Sequence, residues 1–322
     1  MVFTLFSSLC MTILPLSIVI SISSDSWLGA WVGLELNTMA FISILAFDEK
    51  VMGEAKLKYF LVQSVSSFML LLGGLLPFLK IGSCIIIVSL LFKAGLAPLH
   101  FWFPPIVKTL SWFATILLLT VQKFIPLSLL SYSFSSDSEL LLKLAVLSCA
   151  GVGALGGFGE LHLRKLLSFS SISHGGWILV SFFSPSALWV LYYLMYCYFS
   201  GMTMLFLMNL NKTHMVHMEE GLLPLEGVFF SCLLLALGGM PPLAGFYPKL
   251  LVLSSLINMN TVMLVLMLMF SIVTLFYYVR VSFPLILMSS VNYSSSAGSV
   301  HRSTMMLGSA TLWGLPVLIM FV

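Results

Sequence analysis

Charge is what this chain has least of. Of its 322 residues only 8% are charged, against 60% hydrophobic, and the mean hydropathy is +1.11. Soluble domains carry about 25% charged residues, which excludes an ordinary soluble fold here. Cysteine is scarce too. Cys10, Cys84, Cys149, Cys197 and Cys232 are scattered in or beside apolar stretches, with no C-x-x-C pair. That pattern offers no zinc, iron–sulfur or haem ligand set and no disulfide framework, and reads as small packing residues. The N-terminus shows neither a basic region followed by a cleavage site nor an Arg-rich amphipathic leader, so the chain is expected to insert where it is made.

What the chain has instead is long apolar runs. A hydrocarbon core about 30 Å thick needs roughly 20 apolar residues per helix. Cutting at charged or proline-rich breaks gives spans at 3–22, 27–47, 57–78, 81–110, 112–132, 139–158, 165–183, 187–209, 223–256, 260–283 and 304–322. The fold expected is all-α and polytopic, with about eleven transmembrane helices. The spans 81–110 and 223–256 are too long for one straight crossing and contain prolines.

The basic residues divide unevenly between the loops. Numbered by the helix they follow, the even loops hold eight of the 14 Lys and Arg residues: Lys50, Lys56, Lys58, Arg164, Lys165, Lys212, Arg280 and Arg302. The odd loops hold Lys80 and Lys143, with the acids Asp25, Asp137 and Glu139. Basic loops stay on the side of synthesis, which predicts an N-terminus facing the cytoplasm or the mitochondrial matrix.

The two overlong spans share a motif. Pro98-Leu99 and Pro242-Leu243 are each followed by four residues and then Pro104 or Pro248, with an offset of 144 residues. Five helices separate the motifs, and five is odd, so the second unit would enter from the opposite side. This predicts two inverted five-helix repeats, 1–132 and 133–283, with 284–322 as a connector and final helix. Proline removes a backbone donor and breaks a helix. Unpaired backbone at membrane depth is tolerated only inside protein or along a wet cavity, and paired broken helices mark transport sites.

The remaining four lysines and one glutamate lie within apolar runs. They are Glu35, Lys93, Lys108, Lys123 and Lys249. An ionisable group at the bilayer centre costs about 2.5–3.5 kcal/mol on insertion scales, so five of them point to a path for protons or ions. Burial disfavours a charged lysine and an acid partner favours it. Lys93 lies five residues before Pro98, and Glu35 is the carboxylate deep in a span, so the two can form a switching pair or a static ion pair. Lys123 has no acid near it in sequence. Lys249 follows Pro248 in the second broken helix, while Lys108, four residues after Pro104-Pro105, suits either the relay or an interface. His174, flanked by Ser170, Ser171 and Ser173, and His100, between Lys93 and Lys108, are relay candidates because histidine titrates near neutral pH. Each could equally be a hydrogen-bonded core residue. The glycines Gly151, Gly153, Gly156, Gly157 and Gly159 end an apolar span with no strand before them, so close helix packing explains them better than phosphate binding. The run 211–220 reads as a solvated loop and the Ser-rich 289–303 as a connector.

GLELN around Glu35, EAKLKYFLVQS at 54–64, KAGLAPLHFWFPP at 93–105, QKFIPL at 122–127, LRKLLSFSSISHGGW at 163–177 and GGMPPLAGFYPK at 238–249 carry a resemblance. Together they resemble NADH–ubiquinone oxidoreductase chain 2, a family of antiporter-like membrane subunits of mitochondrial respiratory complex I. The resemblance implies a fold related to Mrp-type cation/proton antiporters. It places the family's glutamate and central lysines on Glu35, Lys93, Lys123 and Lys249, and implies the shortened animal form, without three further N-terminal helices. The family has an acidic or polar residue where Pro105 stands here.

The function expected is proton translocation as a subunit of the NADH:ubiquinone reductase, through a relay of Glu35, Lys93, Lys123, Lys249, His174 and His100. No cofactor or metal is expected on this chain; NADH, flavin, iron–sulfur clusters and ubiquinone would be held elsewhere in the complex. The partners expected are neighbouring antiporter-like subunits and lipids of the mitochondrial inner membrane, with no nucleic acid. The alternatives are a free-standing cation/proton antiporter and a purely structural scaffold.

Overall fold

The computed structural model describes residues 2–49, 51–76, 80–134, 138–184, 187–215, 218, 224–256 and 261–291. The eleventh expected span, 304–322, most of the connector before it and Arg302 lie outside the described residues, as does much of the loop 211–220.

Each of the first ten expected spans holds a helix or a broken pair. These are α1 (Val2–Ser23), α2 (Trp27–Phe47), α3 (Gly53–Leu75), α4 (Lys80–Ala94) with α5 (Phe103–Thr109), and α6 (Trp112–Leu119) with α7 (Val121–Tyr132). Then follow α8 (Glu139–Gly157), α9 (Leu163–Ser181), α10 (Leu188–Leu210), α11 (Pro224–Gly238) with α12 (Phe246–Leu256), and α13 (Thr261–Val291). The chain forms two compact units, Met1–Ala145 and Val146–Val322. Among the described residues, α2, α3, α8, α10 and α13, and the α6–α7 pair taken together, are long and apolar enough to cross a membrane.

The side chains are sorted as a lipid solvent demands. Leu16, Val19, Leu61, Phe68, Val262 and Ile272 are exposed, while Asn37, Gln63, Lys93, Gln122, Lys123, His174 and Lys249 are buried. Serine and threonine within helices donate to the carbonyl one turn back, as in Ser17→Leu14 at 2.7 Å and Ser89→Ile86 at 2.7 Å. With no water in hydrocarbon, that internal bond is what lets the hydroxyls be there.

Both overlong spans are broken, and glycine does the stopping. Gly95 at φ +64 and Gly239 at φ +76 occupy the left-handed region. In the first break Gly95 N–H donates to Phe92 O at 3.1 Å and Leu96 N–H to Leu91 O at 3.0 Å. In the second, Gly239 N–H donates to Ala236 O at 3.0 Å and Met240 N–H to Leu235 O at 3.1 Å. This paired pattern is the helix-ending Schellman motif. Every position of it recurs at the offset of 144 that the prolines showed, with glycine kept at the left-handed one. The breaks therefore begin three residues before the prolines to which the sequence assigns them.

The fifth span, expected to be continuous, is interrupted at Thr120 (φ −110, ψ −81). Pro126 cannot donate to Gln122 O and crowds the carbonyl one turn back, which distorts the turn before it. Lys123 stands within that distorted turn.

Candidate functional site

In the first unit, α2 carries Glu35 and the last turn of α4 carries Lys93. Lys93 Nζ lies 3.6 Å from Glu35 Oε1, and neither atom completes a hydrogen bond. The Lys93 side chain is 1% exposed and that of Glu35 24%. The pair is near enough to attract, at ion-pair distance. Gln63 Nε2 donates to the Lys93 carbonyl at 3.3 Å, occupying one of the acceptors that a helix end leaves open.

Lys123 is buried, with Nζ 4.5 Å from the centroid of the Phe103 ring, a cation–π contact. Beside it, Gln122 Nε2 donates to Asn37 Oδ1 at 3.2 Å, and Tyr59 Oη donates to Gln122 Oε1 at 3.3 Å. Lys93 and Lys123 line one small cavity with Asn37, Thr38, Gln63 and Gln122. Its volume is about 10 Å³, close to what one water needs, and its amides supply the polar partners such a water requires. The two lysines predicted as successive stations thus open onto one polar space. A larger cavity of about 830 Å³, lined by Ser24, Asp25, Trp27 and Tyr132 among others, holds no lysine.

In the second unit, Lys249 sits on the first turn of α12 and Nζ donates to Gly238 O at 2.8 Å. Its ammonium lies 5.8 Å from the Trp177 ring centroid on α9. A Cβ on Gly239 would come within 2.9 Å of that Nζ and push the lysine end aside, and the φ of +76 itself favours glycine. His174, one turn from Trp177 on the same helix, has Nδ1 3.0 Å from Tyr192 Oη. The ring also lies against Tyr196, with centroids 5.3 Å apart.

Two candidates stand apart. His100 is half-buried in the first break, with Nδ1 3.3 Å from Pro98 O and its ring on Phe101, and it does not line the lysine cavity. Lys108 is exposed at the end of α5. The residues that charge alone could not find are neutral: Asn37, Gln63, Gln122 and Tyr59. Their signal was present, since Asn37 lies two positions from Glu35 and Gln122 adjoins Lys123.

The transmembrane family described as NADH:quinone oxidoreductase/Mrp antiporter matches residues 24–83 and 76–276, which include all of these side chains. The chain belongs to this family. It is 36% identical to NADH-ubiquinone oxidoreductase chain 2 of Anopheles gambiae, over 84% of this chain and 83% of that protein. It is 33% identical to the chain 2 of Aquarana catesbeiana, over 96% of this chain and 97% of that one. Among solved structures, a chain of respiratory complex I from Thermus thermophilus with bound aureothin superposes with a TM-score of 0.80 at 24% identity, covering 97% of this chain and 79% of that chain. A chain of the Mrp complex from Dietzia sp. DQ12-45-1b gives 0.76 at 17% identity, covering 84% and 59%. At those identities the likeness shows the fold of this family, the antiporter-like helix arrangement.

Proposed function

We infer that the chain is a core membrane-arm subunit of respiratory complex I and takes part in proton translocation coupled to electron transfer from NADH to ubiquinone. One observation carries the relay: Lys93 and Lys123 share a polar cavity, and Lys93 faces a carboxylate that holds it by charge without a hydrogen bond. Loss of the Glu35 charge, or its withdrawal, disfavours the protonated Lys93. The proton then crosses the cavity to Lys123, where the Phe103 ring face stabilises the ammonium. In the second unit His174 and Lys249 are the corresponding stations. In this reading the NADH, flavin, iron–sulfur and ubiquinone chemistry belongs to other subunits, and neighbouring antiporter-like chains sense the charge displacement. The chain sits in the mitochondrial inner membrane with its N-terminus towards the matrix.

Lys123→Met in the assembled complex tests the relay. Proton pumping per NADH oxidised should fall, and normal pumping with normal assembly would remove Lys123 from the path. Purification from native membrane tests the assembly: co-migration with flavin and iron–sulfur subunits supports complex I, and a lone transporting chain supports a free-standing antiporter.

A further inference from the structure

The cavity of about 830 Å³ in the first unit has no part in the relay. It lies where the α1–α2 loop, the last turns of α3 and the end of α7 meet. Apolar side chains make up most of its wall, among them Ile22, Leu28, Leu71, Leu75 and Leu129. Trp27 lies against α3 because position 74 is glycine, where a Cβ would stand 3.1 Å from the Trp27 Cβ. The serines in the lining are spent on the backbone. Ser21 donates to Ile18 O at 2.9 Å and Ser24 to Ser21 O at 2.9 Å, while the Ser26 hydroxyl accepts from Gly29 N–H at 3.2 Å. Asp25 is different. It is exposed, and among the described residues nothing donates to its carboxylate or pairs with it.

The place of the cavity is the membrane boundary. The apolar spans that border it begin at Trp27 and end at Leu75 and Tyr132. Trp27 and Tyr132 both line it, and tryptophan and tyrosine belong at headgroup level, where their amphipathic rings meet both phases. The volume falls within the roughly 300–1,000 Å³ of small-molecule sites. From Leu75 to Leu70 its α3 wall runs about 7 Å towards the hydrocarbon. Asp25 is the one charged side chain in the lining, so the site attracts a positive group and repels a negative one. Aromatic ring faces add to that preference, since they hold quaternary and primary ammonium groups. The other flank of the same helix end shows the opposite choice. There a groove of about 460 Å³, lined by Leu72 and Cys84 among others, has Lys80 as its one charged side chain.

We propose that this cavity binds a phospholipid whose headgroup carries an ammonium, of the choline or ethanolamine kind. The ammonium sits with Asp25, Trp27 and Tyr132, and an acyl chain follows Leu71, Leu75 and Leu129. Anionic lipids without an ammonium are disfavoured, because their net charge repeats that of Asp25. A lipid held in this way joins the ends of α2, α3 and α7, which the cavity otherwise separates. None of the relay residues lines the site, so the proposal stands apart from the proton-carrying function.

The test uses the intact complex in vesicles that contain one of two probes, phosphatidylcholine or phosphatidylglycerol, each with a photoreactive acyl chain. After illumination, mass spectrometry counts the label on the α3 segment Leu70–Leu75. The choline probe should label that segment on the order of fivefold more than the glycerol probe, the ratio that one half-exposed ion pair or cation–π contact supports. Asp25→Asn, an exposed substitution that leaves packing alone, should bring the two probes close to equal, and Asp25→Lys should reverse their order. Lys80→Gln, in the neighbouring groove, should leave the preference as it was. Equal labelling by both probes in the native complex overturns the proposal, as does a preference that survives Asp25→Asn. Loss of the preference in Lys80→Gln overturns it too, because the general field of that helix end would then be responsible. A segment that neither probe labels means that something other than lipid, such as a neighbouring subunit, fills the cavity, and the proposal falls.

Discussion

The two broken helices are built on one backbone and use it differently. Gly95 and Gly239 end α4 and α11 with the same pair of hydrogen bonds, residue for residue at an offset of 144. The lysines do not follow that offset. Lys93 lies two residues before its glycine, where the second break has Leu237, and Lys249 lies ten residues after its glycine, where the first has Pro105. Lys93 faces a carboxylate 3.6 Å away, whereas Lys249 donates to a backbone carbonyl at 2.8 Å. A carboxylate can lose its charge or move; the carbonyls at a helix end are a fixed source of negative potential. The first break therefore suits a lysine whose proton is released on command, the second a lysine that holds its proton in a standing bond.

That contrast fixes the largest expected effect. Lys93→Met should lower proton pumping in the assembled complex about a hundredfold, the low end of what a positioned acid–base group contributes. Exchanging the two charges, Glu35→Lys with Lys93→Glu, should recover part of the loss seen in either single change. Pumping in the exchange variant no better than in the singles would show that the pair does not couple directly. No such exchange can rescue Lys249→Met, because its partner is backbone.

A smaller effect separates the breaks as scaffolds. Gly95→Ala and Gly239→Ala each force a side chain into the left-handed region, at about 1–2 kcal/mol. In Gly95→Ala the added Cβ meets the Phe103 ring at 2.9 Å; in Gly239→Ala it meets the Lys249 ammonium at 2.9 Å. Both should lower the unfolding temperature of the purified complex. Gly239→Ala should displace the Lys249 ammonium from Gly238 O directly, whereas Gly95→Ala reaches Lys123 only through the Phe103 ring, so Gly239→Ala should lose more pumping for the same loss of stability. Equal pumping loss in the two variants would contradict the different uses drawn from the geometry.

Much of this was legible in the chain itself, for physical reasons. Apolar runs report helices in a membrane because lipid leaves the backbone no other way to satisfy its bonds. Glu35, Lys93, Lys123 and Lys249 stood out because a charge in an apolar run is expensive. Asn37, Gln63 and Gln122 did not, since a neutral amide raises no such alarm, yet they give the lysine cavity its polarity. The interruption at Thr120 was hidden because Pro126 acts one turn upstream of itself, on carbonyls that a sequence does not display.

The smallest expected effect is at Lys108, and it bounds the comparison from outside. Lys108 belongs to the first broken span and carries the same charge as Lys93, but it lies beyond α5's prolines and is exposed. If charge within a broken span were enough to make a proton station, Lys108→Gln would impair pumping as Lys93→Met does. If burial beside a carboxylate and a polar cavity is what matters, Lys108→Gln should leave pumping unchanged and alter stability by no more than about 0.5 kcal/mol, as surface substitutions do. Pumping and thermal unfolding of the same purified variant decide between these. A pumping defect at Lys108 comparable to that at Lys93 would mean that proton occupancy extends along the whole broken span, and the distinction between a released and a held lysine would have to give way to a continuous row.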